Sequence, residues 1–191
     1  MNQIFVIISC LILLYIINIF SNWNELIIDS YYNNKQLKIY DIGHKYLPRL
    51  NNKYTEWYNL VLYVVIITTL LVYNHLATTF FMLLVIVYLF RLITINLTVV
   101  PKRDMCKVTT NFQLNGYCYD NIYSGHAAVL CIGTLLLYDQ QIISLVPLIL
   151  NNMINAFFII TTRSHYTIDV VIAFIVSILI YQNMNVFNIY I

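Results

Sequence analysis

The sequence predicts an all-α fold, a six-helix transmembrane bundle that forms one domain of a polytopic membrane protein. The 191-residue chain is 61% hydrophobic and only 9% charged, whereas an average soluble domain has roughly 25% charged residues. Its apolar runs are long enough to cross a bilayer, because ~30 Å of hydrocarbon requires about 17–25 helical residues. The length suits a single domain spanning 1–191. Soluble classes are therefore excluded.

Six apolar runs are predicted to be membrane-spanning helices: 4–20, 57–73, 76–100, 124–138, 142–160 and 167–181. The first run lacks a basic leading region and a small-x-small cleavage pattern, so we interpret it as a retained span and not as a signal peptide. Tight turns at 74–75 and 139–141 join neighbouring spans, and the longer connections 21–56, 101–123 and 161–166 then share one face of the membrane.

The polar residues of the chain are concentrated on that face. Every Lys and Arg except Arg91 lies in the three longer connections. The first of these connections is rich in tyrosine, which suits a segment lying on the membrane interface. The net charge of +2, without a basic run, gives no indication of nucleic-acid binding. The expected partners are the membrane and its lipids.

His165 and Asp169 are the first pair of residues with catalytic potential. Their i, i+4 spacing puts both side chains on one helix face. A carboxylate that accepts from one imidazole nitrogen fixes the tautomer and makes the other nitrogen more basic. His165 is therefore a candidate nucleophile or base. The alternative is a structural His–Asp pair, which is less favoured because ionisable residues in membrane segments are mostly functional.

A second cluster, Ser124-Gly125-His126, opens the fourth predicted helix. Ser124 is a candidate N-cap, and Gly125 permits close approach of a ligand to the backbone. The free N–H groups and the positive end of the helix dipole favour an anion such as a phosphate. His126 stands beside this site as a candidate proton donor to a leaving oxygen. The equally weighted alternative is an ordinary cap with an interfacial histidine.

Two arginines are candidate phosphate ligands. Arg91 lies well inside an apolar run, and Thr94 and Thr98 share its helix face. A guanidinium there can clamp a phosphate through two hydrogen bonds, although it can also extend towards the interface from a helix end. Arg163, two residues before His165, has an equally plausible topological role.

No metal site and no cofactor are predicted. Asp120 and Asp169 are the carboxylates near the clusters, and Mg²⁺ or Zn²⁺ needs more ligands than these. Negative charge on a phosphate would be neutralised by arginines and backbone dipoles. Asn151 and Asn155, spaced i, i+4 in the fifth span, are interpreted as polar contacts between helices.

These residues resemble the sphingomyelin synthase family, the lipid-transferase branch of the type 2 phosphatidic acid phosphatase superfamily. The segment 118–126, CYDNIYSGH, is similar to the family's Cys-Gly-Asp-x-x-[Phe/Tyr]-Ser-Gly-His-Thr motif, and 165–171, HYTIDVV, is similar to its His-Tyr-[Ser/Thr]-x-Asp-[Val/Ile]-Val motif. Upstream, Arg91 and Thr94, then Thr98, Pro101 and Cys106, resemble its Arg-x-x-Thr…Thr-x-x-Pro…Cys stretch. Asp41 to His44, ahead of Pro48, is similar to a first-loop Asp-x-x-[His/Phe]…Pro pattern.

The resemblance implies a sphingolipid synthase. It would move a phospho-headgroup from a glycerophospholipid donor to ceramide and release diacylglycerol. His165, oriented by Asp169, would form a phosphohistidine, and His126 would shuttle the proton. Arg91, Ser124, Gly125, Arg163 and Tyr166 would bind substrate. Phosphocholine is the favoured headgroup, with phosphoinositol or phosphoethanolamine as alternatives, since Arg163 precedes the motif His where animal enzymes tend to have an acidic residue.

The resemblance further implies a multi-pass protein of the Golgi or plasma membrane with its site on the lumenal or exoplasmic face, and it is compatible with a homo-oligomer. The basic loops would instead be cytosolic by the positive-inside rule. Cys106 and Cys118 share one loop and are candidates for a disulfide if that side is oxidising. The sequence motifs depart from the family pattern at Tyr119 and Ala127, where the family has Gly and Thr.

Two alternatives to transfer remain. The first is a lipid phosphatase or phospholipase C-like hydrolase that uses the same triad with water as the acceptor. It is less favoured because the Arg typical of lipid phosphate phosphatases six residues before the motif His is absent, and Ile159 stands there. The second alternative is a non-catalytic membrane protein that binds ceramide, and the intact triad argues against it.

Overall fold

The computed structural model describes residues 3–32, 39–97, 100, 122–187 and 189, and its regular structure is entirely helical over these residues. There are seven α-helices and one 3₁₀-helix in this part of the chain: α1 (Gln3–Tyr32), α2 (Ile42–Tyr46), α3 (Lys53–Val72), α4 (Asn74–Leu97), α5 (Gly125–Asp139), α6 (Leu145–Thr161), α7 (Thr167–Gln182) and the 3₁₀-helix Met184–Phe187. The prediction of an all-α fold is confirmed for the described residues.

Three of the described helices are long and apolar enough to cross a membrane. They are the Gln3–Ile28 part of α1, Lys53–Val72 and His75–Leu97. The other three apolar helices, α5, α6 and α7, have 15, 17 and 16 residues. At 1.5 Å per residue they extend only about 22–26 Å, which is less than the ~30 Å hydrocarbon core. The helices support a membrane protein, and six spans remain a prediction.

The first predicted connection is wrong over its initial part, because α1 continues without interruption to Tyr32. Cys10, Ile17, Ser21 and Ile28 are all buried. Their spacing of seven, four and seven residues puts them on one helix face. The helix packs against α4, and its buried face extends past residue 20 as far as Ile28.

Two other elements differ from the sequence prediction. The short helix α2 was not predicted, and it begins where the Asp41 side chain accepts the His44 N–H at 2.8 Å. The helix α6 begins at Leu145 instead of residue 142, and Pro147 lies within its first turn, where proline costs no hydrogen bond. The remaining predicted spans agree with the observed helices to within a few residues.

The helix α5 is the central element of the bundle. Ten of its 15 residues are buried, and it packs against α3, α4, α6 and α7. By contrast, α1, α3 and α6 expose many large aliphatic side chains, among them Ile12, Val64 and Leu150. Such a surface suits contact with lipid. The central helix therefore carries its polar N-terminus into a position that neighbouring helices surround.

Hydrogen bonds to backbone carbonyls join the polar ends of the helices at one end of the bundle. The Ser124 N–H, just before α5, donates to the Asp169 carbonyl in the first turn of α7 at 3.1 Å. The Arg91 Nε, near the end of α4, donates to the Tyr123 carbonyl at 3.3 Å. The predicted polar clusters, although 40 residues apart in sequence, thus meet in one place.

Candidate active site

His165 and Asp169 lie together at the start of α7, and both are buried. The distance from His165 Nδ1 to Asp169 Oδ2 is 3.5 Å, longer than a good hydrogen bond of about 2.7–3.2 Å. Asp169 Oδ2 also accepts the Tyr166 N–H at 2.8 Å, which fixes the carboxylate at the helix N-terminus. The carboxylate is therefore held where it can orient the imidazole through Nδ1, which would leave the lone pair of the ring on Nε2.

His126 lies across from this pair, in the first turn of α5. Ser124 is the N-cap of α5, and its Oγ accepts the Ala127 N–H at 3.3 Å. The ring centroids of His126 and His165 are 6.3 Å apart, with the ring planes inclined by 63°. The two imidazoles thus approach the same small volume without stacking. This arrangement suits two groups that act on opposite sides of one reacting atom.

Arg91 reaches the same place from α4 and is buried, with an exposed fraction of 8%. Its guanidinium carbon lies 5.4 Å from the centre of the Tyr88 ring, a distance typical of a cation–π contact. A Cβ on Gly125 would lie only 3.2 Å from the Arg91 Cζ and Nη1 atoms and from the Tyr88 hydroxyl. The glycine therefore allows a fixed positive charge to lie directly against the N-terminus of α5.

Tyr123 holds this junction together, a role that the sequence did not reveal. It is fully buried and has a φ of 91°, which a non-glycine residue rarely adopts. Its hydroxyl donates to the Val87 carbonyl at 2.9 Å, and its own carbonyl accepts from Arg91. Burial raises the pKa of the Tyr123 phenol, so the hydroxyl remains a donor. Strained backbone of this kind is typical of functional sites.

Arg163 has a different environment from Arg91. Its guanidinium donates to three backbone carbonyls, those of Ile160 at 3.1 Å, His44 at 2.6 Å and Leu47 at 3.0 Å. Its own φ of 61° directs the chain sharply into the segment that contains His165. These contacts tie the turn before α7 to α2. A role for Arg163 as a phosphate ligand stays a prediction.

The structure also brings Asp41 and His44 to the site, and neither was among the predicted site residues. Asp41 accepts hydrogen bonds from the backbone and side chain of Thr167, and His44 Nε2 lies 3.0 Å from the His165 carbonyl oxygen. The rings of His44 and Tyr166 are 5.3 Å apart. The Asp-x-x-His spacing in the first loop was the available signal, but nothing local relates it to residues more than 120 positions away.

No group of three or more His, Cys, Asp or Glu side chains is arranged to hold a metal ion within the described parts of the chain. Cys106, Cys118, Asp120 and Thr98 lie outside the described residues, and so does the predicted disulfide. That the protein uses no metal or cofactor therefore stays a prediction. The charge-neutralising groups that the structure does bring to the site are Arg91 and the N-terminus of α5.

Part of the chain is similar to a known protein family. Residues 117–186 match the family model of the PAP2 superfamily C-terminal domain. The matched segment includes His126, His165 and Asp169, together with all of α5, α6 and α7, whereas Arg91 and Asp41 lie before it. No curated protein matches the chain. The match supports the type 2 phosphatidic acid phosphatase superfamily, whose members are phosphatases or phosphotransferases, and the long apolar helices support a membrane protein.

Proposed function

We propose that this protein is a sphingolipid synthase that transfers a phospho-headgroup from a glycerophospholipid to ceramide and releases diacylglycerol. The observation that carries the proposal is the pair of imidazoles, His126 and His165, 6.3 Å apart, with the Asp169 carboxylate behind His165. The motif resemblance favours phosphocholine as the headgroup, with phosphoinositol and phosphoethanolamine as alternatives. The enzyme would act in the Golgi or plasma membrane, on the lumenal or exoplasmic face.

The first step forms a phosphohistidine. His165 Nε2 attacks the phosphorus of the donor lipid, and the P–N bond forms as the bond from phosphorus to the diacylglycerol oxygen breaks. Protonated His126 gives its proton to that oxygen, so diacylglycerol leaves as a neutral alcohol. The buried Asp169 carboxylate stabilises the positive charge that develops on the His165 ring.

The second step restores the enzyme. His126, now neutral, takes the proton from the primary hydroxyl of ceramide while the hydroxyl oxygen attacks the phosphorus. The P–N bond breaks, and His165 recovers its lone pair. The two histidines finish in their starting protonation states, so no outside acid or base is consumed. Two successive displacements at phosphorus predict overall retention of configuration.

Arg91 and the N-terminus of α5 supply the electrostatic stabilisation. The guanidinium lies against Gly125, beside the Ser124 cap and the positive end of the α5 dipole. Because Arg91 is buried, its charge acts through a poorly solvated medium, where it stabilises a phosphoryl transition state more strongly than in water. Tyr166 and Arg163, at the start of α7, are proposed to border the headgroup.

The test is a transfer assay with the full-length protein in membranes that lack sphingolipid synthase activity. Labelled ceramide is added with vesicles of phosphatidylcholine, phosphatidylethanolamine or phosphatidylinositol, and the headgroup of the labelled product is identified. We expect a new labelled sphingolipid with at least one donor. Release of headgroup phosphate or phospho-alcohol without any labelled sphingolipid would identify a hydrolase instead.

Three histidine variants make the assay specific. His165→Ala is expected to abolish transfer and the phosphohistidine, and His126→Ala to slow both steps by about 10²–10⁴-fold, the usual worth of a general acid or base. His75→Ala is the matched control, because His75 is exposed and lies at the other end of α4. Full activity in His165→Ala, with normal membrane insertion, would exclude His165 as the nucleophile.

A further inference from the structure

We propose that Asp41 is a positioning residue for the reaction, and that it acts through a short segment, residues 41–47, that holds the backbone around His165. We call this segment the Asp41 clamp. The proposal deepens the function proposed above, since it takes His165 as the nucleophile. It concerns a part of the chain that lies outside the segment matched to the PAP2 superfamily.

The first observation is that Asp41 caps α7 from a distant part of the chain. Its Oδ2 accepts the Thr167 N–H at 2.8 Å, and its Oδ1 accepts the Thr167 Oγ1–H at 2.8 Å. Thr167 is the first residue of α7, so Asp41 satisfies an N–H group that the helix itself leaves without a partner. The neighbouring N–H, that of Tyr166, goes to Asp169. Two carboxylates thus hold the positive end of the α7 dipole.

The second observation is that the clamp contacts three alternate residues around the nucleophile. Arg163 donates to the His44 and Leu47 carbonyls. His44 Nε2 lies 3.0 Å from the His165 carbonyl oxygen. The Thr167 hydroxyl donates to Asp41. His165 is the middle residue of the three. Its backbone is therefore fixed on both sides and at its own carbonyl, by groups that belong to one short segment.

The third observation is that the clamp fits closely against α7. The Gly43 N–H donates to Thr167 Oγ1 at 3.2 Å. A Cβ on Gly43 would overlap Thr167 Oγ1 and would lie 2.6 Å from the Ile160 Cγ2 atom. Only glycine therefore allows α2 to approach near enough for Asp41 and His44 to reach their partners.

These contacts explain how a residue that does not touch the reacting atoms can govern the rate. A displacement of the nucleophile of only about 1 Å can cost roughly 10²-fold in rate. Because His165 Nδ1 and Asp169 Oδ2 are 3.5 Å apart, the carboxylate by itself restrains the imidazole only loosely. The clamp supplies the missing restraint by fixing the backbone, which determines where the imidazole lies relative to His126.

The test combines kinetics with hydrogen exchange on the full-length protein in lipid nanodiscs. We expect Asp41→Ala to lower kcat by about 10–100-fold with KM changed by less than about three-fold, because orientation is lost and substrate contacts are kept. Hydrogen exchange should become faster in peptides that cover residues 164–170 and remain unchanged in peptides from α5. Gly43→Ala should produce the same pattern through its clash.

Matched variants separate positioning from general destabilisation. Thr167→Val removes the hydroxyl that bonds Asp41, and Thr167→Ser keeps it, so only the valine should lower kcat. Because Asp41 and Thr167 share one interaction, the double variant Asp41→Ala/Thr167→Val should be scarcely slower than Asp41→Ala alone. Lys45→Ala is the control within the clamp, since Lys45 contacts the Tyr40 and Tyr46 rings.

Each outcome decides the proposal. Unchanged exchange at 164–170 in Asp41→Ala would show that the clamp does not hold the start of α7, and faster exchange with unchanged kcat would show that the clamp does not position His165. Either result overturns the proposal. Failure of the proposed function is distinguishable, because it would appear as an active His165→Ala variant or as hydrolysis without transfer in the unmodified protein.

Discussion

At the scale of single residues, the most unusual group is the Arg91 guanidinium, a charge buried among helices and held by the Tyr123 carbonyl and the Tyr88 ring. The guanidinium also lies against Gly125 at the start of α5, where the proposed function has it bind the phosphate. Arg91 differs in this respect from Arg163, whose guanidinium donates to three backbone carbonyls.

Arg91→Ala is expected to slow headgroup transfer by about 10²-fold or more, the usual cost of one lost transition-state donor. Arg91→Lys keeps the charge but loses the planar donor fork and the Nε bond to Tyr123, so we expect an intermediate loss of about 10-fold. The measurement is the initial rate of transfer at saturating lipid. Lys53→Ala, an exposed position at the start of α3, is the control. A wild-type rate in Arg91→Lys would contradict two-point binding of the phosphate.

The Asp41 carboxylate predicts a defined response to acid. Burial by itself would raise its pKa, but the hydrogen bonds from the His44 backbone and from Thr167 together outweigh burial, so the pKa is lowered. A carboxyl with a lowered folded-state pKa adds stability above its unfolded pKa of about 3.9 and loses it as the pH falls through the folded value. The His44 ring, whose Nε2 lies 3.9 Å from Asp41 Oδ1, also lowers this pKa electrostatically.

We therefore expect the stability difference between the wild type and Asp41→Asn to be full at neutral pH and to shrink as the pH falls below about 4. The measurement is thermal unfolding in detergent as a function of pH. Glu56→Gln, at an exposed position in the first turn of α3, is the matched carboxylate control and should show no such change. A difference that persists undiminished at pH 3 would mean that ionised Asp41 is not what stabilises the clamp.

At the scale of helices, α3 and α6 are joined by polar contacts of unequal quality. Thr55 Oγ1 lies 2.8 Å from Thr162 Oγ1 and bonds the Phe158 carbonyl at 3.0 Å. The Tyr58 hydroxyl donates to the Asn151 carbonyl at 3.2 Å. The amide of Asn155 is fully buried, yet neither its nitrogen nor its oxygen has a hydrogen-bond partner among the described residues. The predicted side-chain contact is thus long at Asn151, whose Oδ1 lies 3.5 Å from the Tyr58 hydroxyl, and Asn155 makes none among the described residues.

Substitutions of Asn155 and of Thr55 should have opposite effects on the stability of the protein. Asn155→Leu is expected to leave the protein at least as stable, because an unsatisfied buried amide costs about 1–3 kcal/mol. Thr55→Val should destabilise it by about 1 kcal/mol, the worth of a typical hydrogen bond between membrane helices. Thermal unfolding in detergent measures both. A marked loss of stability in Asn155→Leu would show that the amide has a partner beyond the described protein atoms, such as water or lipid.

The helices also show how much of the structure can be predicted from the sequence. Helix starts at Ser124 and Thr167 follow from local capping and apolar periodicity, and the i, i+4 spacing of His165 and Asp169 brings them together without long-range information. The bond between Asp41 and Thr167 joins residues 126 positions apart, so no local pattern reveals it. The buried face of α1 past residue 20 and the positive φ of Arg163 arise in the folded chain, and helix propensity does not predict them.

At the scale of the whole molecule, the proposed six spans place α2 and the starts of α5 and α7 on one face and the turn after α5 on the other. This topology predicts that single cysteines introduced at Lys45 and Gln141, in a variant without native cysteines, react with an impermeant thiol reagent from opposite sides of sealed vesicles. Both are outside the long helices. Reaction of both from the same side would exclude six spans. The side on which the Lys45 position reacts would also decide between the lumenal and the cytosolic orientation.

The shortness of α5 has a consequence for where the reaction takes place. A helix of 15 residues extends about 22 Å and is roughly 8 Å shorter than the hydrocarbon core. If its far end lies at one boundary of the hydrocarbon core, the His126 end lies roughly 8 Å inside the opposite boundary, deeper than the ester and amide linkages of the lipids. Either the bilayer thins around the site, or donor and acceptor both draw their reacting groups inward to reach His126.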